Sequence, residues 1–90
     1  MNSTEEIFNI LQNEVSHNLS GILLFDDAES IRWQLDGIVY GHSKADLEDL
    51  AIDDIDLLKE VLSDHNLEDS VEITQPEFDD VYVYFYIQEI

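Results

Sequence analysis

Asp46, Asp49, Asp53, Asp56, Glu60 and Asp64 recur every three or four residues, the interval that stacks side chains along one side of an α-helix. Leu47, Leu50, Ala51, Ile55, Leu58, Val61 and Leu62 fall on the other side. Carboxylates stepping about one turn, roughly 5 Å, along a helix form a line of charge spaced broadly like the phosphates of a nucleic-acid strand. The chemistry open to such a rail is electrostatic recognition of a cationic surface. Asp outnumbers Glu in it, and the shorter arm holds its charge close to the backbone with less rotamer freedom to lose. The competing reading is a solvated helix face. Solvated faces interleave Lys with Glu, whereas this segment offers only Lys44 and Lys59, and like charges at i,i+4 destabilise a helix.

The acidic excess is chain-wide. Asp26, Asp27 and Glu29, Glu68 and Asp69, and Glu77, Asp79 and Asp80 add further clusters, and 22 acidic residues against 3 basic ones give a formal charge of -19. Self-repulsion on that scale works against a compact state, so the charge is expected to serve a partner. A phosphate-binding surface needs Lys and Arg, so direct binding to nucleic acid or to an anionic membrane is not expected; basic proteins are. Asp26, Asp27, Glu29, Asp79 and Asp80 are taken as secondary contributors to the rail.

The sequence offers little for catalysis. His17, His42 and His65 are scattered at element ends, where helix dipole and capping explain them. There is no glycine-rich phosphate loop, metal-protease motif or nucleophile triad spacing. The carboxylates around Asp26 and Asp53 do not fit a calcium loop, and residues 64–75 lack its central Gly and final Glu. A binding protein without cofactor or metal is expected, not an enzyme. No cysteine is present, which removes disulfides and thiolate sites. The N-terminus is polar and acidic, and no apolar run approaches the roughly 20 residues that cross a bilayer. The expected location is cytoplasmic.

These residues need a scaffold, and 90 residues that are 44% hydrophobic allow one folded domain spanning 1–90. Ser3 followed by Glu6 forms a capping box, and Ile7, Phe8, Leu11 and Val15 continue a helix to about His17 or Asn18. The apolar run 22–25 suits a strand covered on both faces and central in a sheet, with 26–29 as a turn. Ile31, Trp33 and Leu35 alternate, and Asp36-Gly37 predicts a hairpin whose return strand, 38–41, sets Leu35 opposite Ile38 and Trp33 opposite Tyr40. As one helix, the acidic segment would bury an unpaired Asp54 carboxylate, so helices near 44–51 and 54–65 are predicted, capped at Ser43 and Asp53. The rail would then bend near Ile52.

Residues 71–74 form a short strand, Gln75-Pro76 breaks it, and the final strand sets Val81, Val83, Phe85 and Ile87 against Tyr82, Tyr84 and Tyr86. Asp79 and Asp80 precede it as gatekeepers against edge pairing. The tyrosine side is either half-buried or a contact face, and a homodimer through that face or the strand's edge is one use of it. The architecture expected is α+β: an N-terminal helix, an antiparallel sheet of four or five strands, and two consecutive acidic helices before the last two strands.

In size, charge, missing cysteine and carboxylate distribution, with 43–70 carrying most of it, the chain resembles the small acidic DNA-mimic proteins of phages and mobile elements. Anti-restriction proteins, anti-CRISPR proteins and glycosylase inhibitors belong to this class. These proteins share no motif or fold, so the resemblance assigns no individual role. It implies occupation of the basic nucleic-acid-binding surface of a DNA-binding protein or nuclease. The alternative is an immunity-type or adaptor protein that grips one basic partner through a specific aromatic and acidic interface, without imitating DNA.

Overall fold

The computed structural model describes residues 3–26, 30–36 and 43–90. Helix α1 runs Thr4–Glu14 and begins as expected: the Ser3 hydroxyl accepts from the Glu6 backbone N–H at 3.2 Å. Ile7 and Leu11 are buried, and a 3-10 turn at Ser16–Asn18 finishes the segment. The antiparallel sheet comprises β1 (Ile22–Asp26), β2 (Ser30–Asp36), β3 (Val71–Ile73), β4 (Glu77–Phe78) and β5 (Tyr82–Glu89). Its order is β1-β2-β5-β3, with β4 also on β5.

That order corrects several expectations. β1 is an outer strand, not a central one: Leu23 is buried, but Ile22, Leu24 and Phe25 are 55%, 40% and 43% exposed. A continuous apolar run suits a central strand, but it also suits an edge strand that buries only part of itself. Residues 27–29 and the predicted return strand 38–41 lie outside the described residues. Trp33 sits between Leu23 and Phe85, and Leu35 lies opposite Val83. β5, flanked by β2 on one edge and by β3 and β4 on the other, is central. Asp79 and Asp80 therefore guard no free edge, and a homodimer through the edge of β5 is ruled out. Val83, Phe85 and Ile87 are buried as expected, but Val81 precedes the strand and is 47% exposed.

The second helix is the largest correction. α2 is one unbroken helix, Lys44–Asp64, of 21 residues, with the Ser43 hydroxyl accepting from Asp46 N–H at 3.2 Å. Asp53 caps nothing. Asp54 is buried, as its place in the apolar stripe demands, but its carboxylate has partners that the sequence did not reveal. Backbone N–H groups of Ser20 (3.0 Å) and Gly21 (2.9 Å) and the Trp33 indole N–H (2.8 Å) all donate to it. With the desolvation cost offset by charge-assisted hydrogen bonds, the helix has no reason to break.

α2 ends in a Schellman motif. Asn66 adopts φ 58°, Leu67 N–H donates to Leu62 O at 2.8 Å and Asn66 N–H to Ser63 O at 3.0 Å. Leu62 and Leu67 are both buried across this turn, which aims the chain into β3. Both helices cover one sheet face, where Trp33 stacks on Phe85 (centroids 4.6 Å apart) and Phe8 meets Phe25 edge-on. Among the described residues no element covers the other face. No described helix is long and apolar enough to cross a membrane.

Candidate functional site

The helical geometry of α2 decides where the rail points. Leu47, Ala51, Asp54, Leu58 and Leu62 are buried, and Leu50, Ile55 and Val61 are partly so. Asp46, Asp49, Asp53, Asp56, Glu60 and Asp64 are all exposed, and so is Glu48. The structure thus brings the predicted rail together along one unbroken helix, without the expected helix break near Ile52. From Asp46 to Asp64 it covers roughly 27 Å at about 1.5 Å per residue. Its charges fall about 5 Å apart along the axis, against roughly 3.4 Å per strand in B-DNA. Lys44 is diverted to the Phe78 ring, its ammonium 5.4 Å from the centroid.

Of the secondary contributors, the structure places Asp79 and Asp80 by their side chains and Asp26 by its strand position. Asp79 and Asp80 are exposed beside Phe78, the residue under Lys44, and so lie near the start of α2. Asp26 ends β1 in the row of Ser30 and Gln88, whereas Tyr82, next to Asp80 in the chain but for Val81, pairs with Asp36. Asp26 and Asp80 thus belong by register to opposite ends of the β2–β5 ladder. Asp27 and Glu29 lie outside the described residues, as does His42. His65 caps α2, as the dipole argument requires, and its Nε2 also contacts the Glu14 carboxylate at the end of α1. Among the described residues no three His, Cys, Asp or Glu side chains converge as a metal-ligand set.

The uncovered sheet face carries a second constellation. Tyr82, Tyr84 and Tyr86 are half-buried and meet edge-on, with centroids 5.7 and 5.9 Å apart. The Arg32 guanidinium lies over all three rings, at 5.0, 4.7 and 5.7 Å. It donates to the Tyr82 hydroxyl at 2.6 Å and the Tyr86 hydroxyl at 3.3 Å, while its buried Nε lacks a partner among the described residues. Ile22 and Leu24 continue this face across the β1–β2 register. Sequence reasoning saw the tyrosines but missed Arg32. The alternation of Arg32 with Trp33 places it opposite the core, yet only the β2–β5 pairing brings it to the tyrosines.

Glu77 lies directly across from Tyr84 in the ladder, and its charge is the main cause that holds the Tyr84 phenol above the ordinary tyrosine value of 10.0. Loss of hydration and Tyr86 add to the rise, and Arg32 opposes it. The folded state therefore keeps this proton more tightly than the unfolded chain. The associated stability is fully present below pH 10 and is lost as the pH rises through the folded-state value. Glu77→Gln is expected to move the Tyr84 titration, followed by NMR of ring-labelled tyrosine, back toward 10.0. An unchanged titration would remove Glu77 as the cause.

Comparison with protein-family models, with curated proteins and with solved structures gives no match.

Proposed function

We propose that this protein is an inhibitor that occupies the basic nucleic-acid-binding surface of a DNA-binding protein or nuclease, with the α2 carboxylates standing in for backbone phosphates. The observation that carries this reading is the single unbroken helix whose outward side exposes Asp46, Asp49, Asp53, Asp56, Glu60 and Asp64, with Lys59 at its flank beside Asp56. The protein acts by binding in the cytoplasm, without catalysis, cofactor or metal, and touches neither nucleic acid nor membrane itself.

Replacing those rail residues together by Asn and Gln tests it. Removing like charges favours the helix, so the variant is expected to fold. At about 0.5 kcal/mol for each exposed charge, its affinity for a captured basic partner should fall on the order of 100-fold. Binding of the unaltered chain should weaken steeply with salt and be displaced by duplex DNA. A complex indifferent to added DNA would refute the proposal.

The open aromatic face favours a second reading, an immunity-type or adaptor interface, or a homodimer, built on Tyr82, Tyr84, Tyr86 and Arg32. Aromatic and Arg side chains dominate interface hot spots. Here Tyr84→Ala alone would abolish most of the affinity, while rail changes would mainly slow association.

A further inference from the structure

The outer strands of the sheet are β1 on one side of the β2–β5 pair and β3 and β4 on the other. Val71 in β3 is 5% exposed, at a cleft also lined by Lys59, Leu62 and Ser63 of α2. β1 buries less of its apolar surface: Ile22 and Leu24 on the open face and Phe25 on the helix side are all at least 40% exposed. Sheets commonly protect an edge with Lys, Pro, a bulge or an inward-pointing charge. Residues 22–25 contain no charge and no Pro. Their register with β2 runs unbroken from Ile22↔Gln34 to Asp26↔Ser30. In an antiparallel strand, alternate backbone N–H and C=O groups turn away from the neighbour. Those of β1 have no strand partner among the described residues.

We infer that the outer edge of β1 is a strand-addition site for an extended segment of a partner protein in which apolar residues alternate with Lys or Arg. Main-chain hydrogen bonds to β1 hold such a segment, and its side chains supply the selectivity. Its apolar residues continue the row of Ile22 and Leu24 on the open face, where a cation would meet Arg32 through the Leu24–Arg32–Tyr86 row. The formal charge of -19 selects the cations and disfavours a second copy of this chain, which would double the repulsion. The inference rests on the partner being basic, not on imitation of DNA.

The test uses a synthetic peptide alternating Val and Lys, the same peptide N-methylated at every second residue, and its Val and Glu counterpart. Each is titrated into the unaltered chain and into the rail-neutralised variant, and read by amide chemical shift and hydrogen exchange. The Val and Lys peptide is expected to bind both proteins and to slow exchange within Ile22–Asp26. N-methylation should abolish binding, and the Glu peptide should not bind. Leu24→Lys, at a side chain 40% exposed and so safe for folding, should weaken binding about fivefold by setting a charge across from the peptide's apolar residue. Equal binding of the N-methylated peptide, or binding without protection in β1, would overturn the inference. Protection of β1 that grows with protein concentration in the absence of peptide would overturn the choice of occupant. Retained peptide binding by the rail-neutralised variant, beside a partner complex that DNA cannot displace, would leave this site standing while the DNA-mimic reading falls.

Discussion

Asp54→Ala is expected to lower the unfolding free energy by about 4 kcal/mol, since it leaves donors in and beside the core without acceptors at about 1–3 kcal/mol each. The Trp33 indole N–H and the Gly21 N–H are buried with the carboxylate, while Ser20 N–H is only partly buried and can recover water. For a domain of this size that is a large share of a total of roughly 5–13 kcal/mol, and a melting point lower by about 20 °C. Asp54→Asn keeps one oxygen and turns an NH2 toward the remaining donors, so about half the loss is expected. Urea denaturation followed by circular dichroism measures both. A loss below about 1 kcal/mol for Asp54→Ala would mean that the network contributes nothing beyond the bonds water would have made. The functional corollary concerns the rail. Asp54 is the point where α2 is tied to the β1–β2 hairpin, so the variant also loosens the support that keeps the carboxylates in line.

Gly21→Ala is expected to cost about 3 kcal/mol by overpacking. A Cβ built on Gly21 would lie 2.4, 2.5 and 2.6 Å from Cε2, Cζ2 and Nε1 of Trp33, far inside van der Waals contact. The indole cannot retreat. It is fully buried, stacked on Phe85 and fixed at Nε1 by Asp54, so the hairpin or α2 must shift. Trp33 is the only tryptophan, so its fluorescence reports this site directly. Emission should move toward the red and the urea midpoint should fall. Unchanged emission with full stability would show that the strand can back away from the ring at no cost. Gly21 and Asp54 share the indole as a neighbour, so their double variant should be less destabilised than the sum of the single ones.

What the sequence alone determined is what short-range periodicity and turn chemistry encode. The Ser3 and Ser43 caps, the apolar stripe of α1, the 71–74 strand, the alternation of β5 and the exposure of the acidic rail all follow from the chain's local pattern. Each depends on residues within a few positions of one another, where spacing fixes direction. Long-range contact decided the rest. Whether 22–25 lies inside the sheet or at its edge depends on which strand takes each side of β2, and β5, whose Tyr86 stands 54 residues from Arg32 in sequence, takes one of them. The tyrosine face gains its cation by the same pairing. The break expected near Ile52, on account of Asp54, fails for the same kind of reason. A lone carboxylate in an apolar stripe is costly, and only the fold shows that it is not alone. Ser20, Gly21 and Trp33 stand 34, 33 and 21 residues away in sequence, and their N–H groups let one unbroken helix carry the rail.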